Sequence, residues 1–281
     1  METSERLQAA ILRLTTAGVE TPRLEAQLLL AMALGSTRTA VVAGIYRAPS
    51  EEQHAEFERL VQARERRVPL AYLRGTQEFF GLTFRVSPSV LIPRPETELL
   101  VEFALEKLET TGTLVDVGTG SGCILTAALA HAVQARGVGF DLSASALTVA
   151  QDNLRQNGVA ERTRLVQGDL LTAAGEEQFE VIVSNPPYIP SAEVATLAPE
   201  VRDAEPQLAL DGGADGLETY RRLAVQALRA LRPGGWLAVE VGMGQAPEVV
   251  ALWRATGWHE VTTRRDLAGI ERMVCGRKEV L

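Results

Sequence analysis

From residue 95 onward the chain alternates short apolar runs with amphipathic stretches of about a dozen residues, and few folds accept that rhythm. "TLVDVG", "GVGFDL", "TRLVQGD", "FEVIVS" and "WLAVEVG" read as strands. Helices are predicted to about Leu108, to His131, to Asn157 and from Gly216 to Leu231, with one more after the last strand. Strands alternating with helices require parallel pairing with crossovers on both faces, so the predicted class is α/β with a doubly wound, mostly parallel sheet. In such sheets ligands bind outside the carboxyl ends of the strands. The final runs "WHEVTTRRD" and "IERMVCGR" read as a β-ribbon that adds an antiparallel strand.

The first 75 residues show helical periodicity and little else. Thr21 before Pro22 reads as an N-cap with proline at the first helical position, followed by Leu24, Leu28, Ala31 and Met32 at helical spacing up to Gly35. Ser50 with Gln53 forms a capping box for a helix through Arg67. In "FFGLTFRVSPSVL" the period changes to two, with Leu82, Phe84 and Val86 alternating with Thr83 and Arg85, which predicts a hairpin. The expected organisation is a small all-α domain over 1–75 for partner recognition, a β-hairpin linker over 76–93 and a catalytic domain over 94–281. Charge divides along the same line. Residues 1–75 hold ten Arg, no Lys and nine acids, net +1, so the remainder of a chain with net charge −8 carries −9.

The first alternating strand ends in "DVGTGSGCIL". Gly118, Gly120 and Gly122 permit a sharp turn and close approach of a ligand to the backbone, and the helix that follows offers free N–H groups. Asp141 ends the next strand about twenty residues later, where a carboxylate meets ribose hydroxyls. These residues point to a nucleoside cofactor. A dinucleotide pattern would need glycine at 123, where this chain has Cys123, and an acid at Asp116 would repel a pyrophosphate. Asp116 instead suits the ammonium or sulfonium of S-adenosylmethionine. Asp169, ending the third strand, stands where it could meet an adenine amino group.

"SNPPYIP" closes the fourth strand. A planar amide nitrogen is a poor nucleophile, so an enzyme methylating one must hold its hydrogens and aim it. Asn185 offers a side-chain acceptor, Pro186 a carbonyl, and Tyr188 a flat face for the amide plane, while Pro186 and Pro187 stiffen the loop. Such a nitrogen becomes acidic as the new bond forms, so no general base is needed beforehand. A plain Asn-Pro turn would give the same letters.

"DVGTGSG" together with "NPPY" resembles class I methyltransferases that act on planar amino or amide nitrogens. "VPLAYLRGTQEFFGLTFRVSPSVLIPRPETELLVE" and "EPQLALDGGADGLETYRRL" resemble the bacterial peptide chain release factor glutamine methyltransferases, and the likeness extends over essentially the whole chain. The resemblance implies a class I S-adenosylmethionine-dependent fold with a seven-stranded sheet. It also implies transfer of a methyl group to the glutamine of the Gly-Gly-Gln loop of release factors, in the cytoplasm. Carried over by position, it gives Gly118, Thr119, Gly120, Ser121, Gly122 and Asp141 to the cofactor, joined by Asp116, Asp169, Leu170 and Asn185. Asn185, Pro186, Pro187 and Tyr188 fall to the substrate, with Asn185, Pro186 and Tyr188 nearest the chemistry. Some relatives have tryptophan where this chain has Leu170. Sibling enzymes that modify ribosomal proteins usually read Arg-Ser-Pro where this chain has Arg94-Pro95-Glu96.

The same residues admit other functions. A DNA or RNA amino-methyltransferase would use the same loop but calls for a basic surface, which a net charge of −8 does not supply. A nicotinamide-dependent protein could share the sheet. Cys123 and Cys275 lack metal-ligand spacing, and His54, His131 and His259 match no metal or triad pattern, so neither disulfide nor metal is expected. No long uncharged apolar run and no basic-then-apolar start occur, so neither a membrane span nor export is expected. Arg66 and Arg67 read as a solvated helix end or a partner-facing pair. The long stretch from Ile189 to Asp215 is expected to cover the active site.

Overall fold

The computed structural model describes residues 2–176 and 178–280. It divides into two compact units, one of Met1–Gly75 with Ala198–Ala204 and one of Thr76–Leu197 with Glu205–Leu281.

The first unit contains α1 (Thr3–Thr16), α2 (Pro22–Leu34), α3 (Arg38–Ala43), α4 (Glu51–Glu65) and α5 (Leu70–Arg74). Leu14, Leu29, Leu30, Phe57, Leu60 and Val61 are its buried centre. The Ser50–Gln53 capping box forms as expected and starts α4. Thr21 stands at the N-cap position and Pro22 opens α2 as expected, but the Thr21 side chain makes no capping hydrogen bond. Its backbone is not extended, and its hydroxyl donates instead to the Glu25 carboxylate at 3.4 Å. Glu25 is itself held by the buried Arg64 guanidinium, which also donates to Glu200 at 2.9 Å. Arg67 is not a solvated helix end. It donates to Glu200 at 2.6 Å and to the Ala17 carbonyl at 2.8 Å.

The second unit opens with β1 (Thr76–Phe79) and β2 (Leu82–Arg85), an antiparallel hairpin. Then follow α6 (Glu98–Lys107), β3 (Thr113–Val117), α7 (Cys123–His131), β4 (Arg136–Asp141), α8 (Ala144–Gln156), β5 (Thr163–Gln167) and β6 (Phe179–Ser184). The short helix α9 (Ser191–Val194) comes next. The short helix α10 (Pro199–Arg202) lies in the segment that belongs to the first unit. The second unit ends with α11 (Glu218–Ala230), β7 (Leu231–Glu240), α12 (Ala246–Thr256), β8 (His259–Arg265) and β9 (Glu271–Arg277).

Seven strands form one sheet in the order β5-β4-β3-β6-β7-β9-β8. β5 through β7 pair in parallel, and β9 runs antiparallel to both β7 and β8. All six residues of β6 are buried, because helices cover both sheet faces and a central strand has no solvent side. α7 is buried from Cys123 through Leu129. Its bed needs glycine: a Cβ at Gly137 would sit 2.6 Å from a Leu129 methyl. The strand order reverses between β3 and β6, which creates a crevice at their carboxyl ends.

Candidate active site

Register decides what shares that crevice. Val117 of β3 pairs with Phe140 of β4 and with Ser184 of β6, and Ser184 pairs with Val239 of β7. The glycine turn at Gly118, Asp141, Asn185 and Glu240 therefore leave four adjacent strands at one level. They are spread over more than a hundred residues of sequence, as their numbers show.

The glycine turn is folded by its own backbone. The N–H groups of Gly118 and Thr119 both donate to the Phe140 carbonyl, at 2.8 and 2.9 Å. Gly118, Gly120 and Gly122 all have φ between +55° and +75°, a region that other residues rarely enter. Asp141 fastens the turn from the neighbouring strand. Its Oδ2 accepts from the Gly120 N–H and its Oδ1 from the Ser143 N–H, both at 2.8 Å, and each oxygen keeps a lone pair for a hydroxyl. The fully buried Asn153 supports the turn from behind. Its Nδ2 donates to the Ser121 carbonyl at 2.8 Å and to the Arg85 carbonyl at 3.0 Å, while its Oδ1 accepts from the Arg85 N–H.

Asp116 lies one layer deeper. It is fully buried, and it accepts a hydrogen bond from Thr119 Oγ1 at 2.7 Å, while its Oδ1 has no hydrogen-bond partner among the described residues. Burial first, and then repulsion from Asp141, push its carboxyl up to about 7. A cation brought near it would favour its charged form.

The Asn-Pro-Pro-Tyr loop is fixed by side chains from three other elements. Asn185 Nδ2 donates to Thr97 Oγ1 at 3.2 Å, and Thr97 donates in turn to Glu240 Oε2 at 2.6 Å. Tyr188 donates its hydroxyl to Glu240 Oε1 at 3.4 Å. Burial pushes the Tyr188 hydroxyl well above its ordinary value, so it stays a donor. The Tyr188 carbonyl accepts from Gln245 Nε2 at 2.9 Å. A Cβ at Gly212 would lie 2.7 Å from the Tyr188 Cα, so only glycine allows the loop to pass.

Beyond Tyr188 the chain makes a clasp. The Ile189 N–H donates to the Leu210 carbonyl, the Gly212 N–H to the Ile189 carbonyl and the Ser191 N–H to the Gly213 carbonyl. Close by, Arg94 pairs with Glu205, whose carboxylate is buried and held above its usual range by that burial.

A cavity of about 300 Å³ opens over the strand ends. Gly118, Thr119, Gly120, Ser121, Asp141, Asp169, Leu170, Asn185 and Pro187 line it, so the structure brings together most of the residues singled out in the sequence. Gly122 starts α7 beneath the turn, with its missing Cβ against Ala150. Asp116, Pro186 and Tyr188 are not on the cavity wall. Asp169 lines it but is paired with Arg222, which competes with an adenine for its carboxylate. Pro206, Leu208, Ala209 and Asp211 supply wall from the long stretch after Ile189. Cys123 also lines the cavity, with its thiol pushed up to about 12 by burial, so it carries no nucleophile.

Sequence reasoning missed Thr97, Asn153 and Glu240. Glu240 carried a readable signal, a lone carboxylate inside the apolar run "LAVEVG". Among the described residues no group of His, Cys, Asp and Glu could hold a metal ion, and no helix is long and apolar enough to cross a membrane.

A cavity with a glycine turn, a strand-end carboxylate and a buried acid behind the turn fits S-adenosylmethionine. Two family models match the chain: the PrmC N-terminal domain over residues 5–75 and the methyltransferase small domain over residues 95–214. The hMettl16 catalytic domain, solved with the MAT2A 3'UTR hairpin 6, superposes with a TM-score of 0.58 at 18% identity, covering 70% of this chain and 76% of its own. A methyltransferase from Pyrococcus furiosus gives 0.54 at 18% identity, covering 72% and 91%. At that identity the likeness shows a shared class I methyltransferase fold. The release factor glutamine methyltransferase of Caulobacter vibrioides is 44% identical over 271 residues, 96% of this chain and 94% of its own. Its counterpart from Geobacter sulfurreducens is 45% identical over 260 residues, 92% and 91%. Likeness of that degree along nearly the whole length of both chains, over a site of this geometry, means that the chain belongs to the release factor glutamine methyltransferase family.

Proposed function

We propose that the chain methylates the side-chain amide nitrogen of the glutamine in the Gly-Gly-Gln loop of peptide chain release factors. The observation that carries this is the level shared by Asn185 and the glycine turn, on adjacent strands, with the Asn185 amide nitrogen tied back to Thr97. The enzyme is an S-adenosylmethionine-dependent methyltransferase. When bound, S-adenosylmethionine supplies an electrophilic methyl carbon on a sulfonium. The glycine turn and Asp141 hold the nucleoside part, and Asp116 behind Thr119 favours the cationic part. Asn185 keeps Oδ1 as its remaining acceptor, which takes one amide hydrogen of the substrate glutamine. The Pro186 carbonyl takes the other, so the nitrogen lone pair points at the methyl carbon. Tyr188, held by Glu240 and Gln245, sets the height of the loop. As the new N–C bond forms the methyl–sulfur bond breaks, its electron pair staying on sulfur so that S-adenosylhomocysteine leaves, and the nitrogen, now acidic, loses its proton to water without a dedicated base.

The partner in this reading is a release factor in the cytoplasm rather than a nucleic acid, in keeping with a net charge of −8. The helical unit recognises the body of the factor, so the KM for whole factor is at least about tenfold below that for an isolated Gly-Gly-Gln peptide, as expected when binding remote from the reacting group is used. Mass spectrometry of the methylated factor tests the reaction: one added methyl on the glutamine supports it. Asn185→Ala should leave S-adenosylmethionine affinity nearly unchanged and lower turnover by roughly 10²-fold, the scale of one lost preorganised contact. Asn185→Asp keeps the acceptor and should fall between the two. Methylation by Asn185→Ala at the wild-type rate would refute the site.

A further inference from the structure

Asparagine is symmetrical in outline, and only its partners decide which end of the amide faces a ligand. The methyl-transfer geometry requires Oδ1 to face the substrate. Resting on that reading of Asn185, we infer that Thr97 and Glu240 are positioning residues that set the orientation of the Asn185 amide, and that the ionised form of Glu240 is the one that sets it correctly.

A threonine hydroxyl has one proton. Thr97 gives it to Glu240 at 2.6 Å, so toward Asn185 it can only accept, and it accepts from Nδ2 at 3.2 Å. That leaves Oδ1 for the substrate. A carboxylate enforces this order because it has no proton to give. Once protonated, Glu240 can donate to Thr97, and the threonine proton is then released toward position 185. The amide turns over to offer Oδ1 to Thr97, and its NH₂ group then faces the substrate, where two donors meet.

Glu240 is buried at the end of β7, and burial pushes its carboxyl up to about 7. Thr97 and Glu96 approach from the turn before α6, the hydrogen bond from Thr97 favouring the charged form and Glu96 opposing it. Arg272 on β9 favours it, and is itself paired with Asp266 at 3.2 Å. Tyr188 donates to the carboxylate, and Tyr220 of α11 donates to the Glu240 backbone carbonyl at 2.9 Å. Ionisation is thus poised within the working range. Activity is present with Glu240 ionised and is lost as pH falls through that value.

The test is the pH dependence of kcat for methylation of intact release factor, with S-adenosylmethionine binding measured beside it. Wild type should show an acid limb near neutrality. Glu240→Gln replaces a group whose charge burial disfavours, so it should fold; it does not titrate and, like the protonated acid, it offers Thr97 a donor, so kcat should sit at every pH near the low value that wild type reaches on its acid side, and the acid limb should be lost. Thr97→Val should lower kcat by about tenfold or more with KM and cofactor affinity within about twofold, and Thr97→Ser should recover most of the loss. An acid limb unchanged in Glu240→Gln overturns the inference, as does wild-type kcat in Thr97→Val. If Thr97→Val does not fold, the Glu240→Gln profile decides alone. Asn185→Ala, run in parallel, separates the two readings. Full activity there defeats the proposed site, whereas an inactive Asn185→Ala beside a fully active Thr97→Val defeats only this inference.

Discussion

Asp116→Asn tests the buried acid directly. The wild-type carboxyl titrates at about 7 in the folded chain against 3.8 when solvated. A folded value above the unfolded one means that the charge opposes folding. The stability the group permits is complete below pH about 4 and declines as pH rises toward 7, after which the loss is constant. Between pH 5 and pH 8 the slope acts over the interval from 5 to 7, at about 1.4 kcal/mol per pH unit, so wild type loses about 3 kcal/mol through this residue alone. Asparagine has the same outline and still accepts from Thr119, but it does not titrate. Any fixed cost of its NH₂ group is the same at both pH values and cancels in the comparison. Contributions from Glu240 and Glu205 cancel as well, since both remain. The expected result is that the melting temperature of Asp116→Asn relative to wild type rises by about 6 °C on going from pH 5 to pH 8 without cofactor, using about 2 °C per kcal/mol for a chain of this size. Thermal melts at the two pH values measure it. Saturating S-adenosylmethionine should shrink the rise, because a cation beyond Thr119 favours the charged form. A difference flat to within about 1 °C across that range would refute the assignment of an elevated value to Asp116.

Asp141→Ala removes the fastening of Gly120 together with the acceptor proposed for ribose, so S-adenosylmethionine affinity should fall by about 1–3 kcal/mol, read by calorimetry. Arg64→Met leaves Glu25 buried without its cation, and chemical denaturation should show a loss of about 3 kcal/mol that the double variant with Glu25→Leu largely restores. Gly122→Ala places a methyl 3.2 Å from the Ala150 Cβ at a φ of +75°. It should lower the melting temperature and weaken cofactor binding together, by about 1–3 kcal/mol in stability.

The sheet was legible because parallel strands buried on both faces leave little room for polar residues, and "FEVIVS" is apolar at Phe179, Val181, Ile182 and Val183, with only Glu180 and Ser184 breaking the run. The hairpin and the Ser50–Gln53 box were legible because their partners lie within a few residues. The N-cap position of Thr21 was legible too, but the partner of its side chain was not, since that side chain answers to Glu25, and Glu25 is placed by Arg64, far along the chain. The candidate site divides in the same way. Glycine positions and strand-end acids carry local signatures. The bonds linking Asn185 to Thr97 and Thr97 to Glu240 exist only through strand register and the packing of the turn before α6, which no short window of sequence contains.

The backbone clasp at Ile189, Leu210 and Gly212 closes the long stretch at its neck. Its length is therefore uncoupled from the chemistry. Doubling a closed loop costs only about 0.6 kcal/mol in chain entropy. Insertions and deletions between Ser191 and Leu197 can accumulate over generations without shifting Tyr188 by way of the backbone, provided Glu205 stays to hold Arg94. The length of this stretch can thus change while the strand-end geometry is inherited intact.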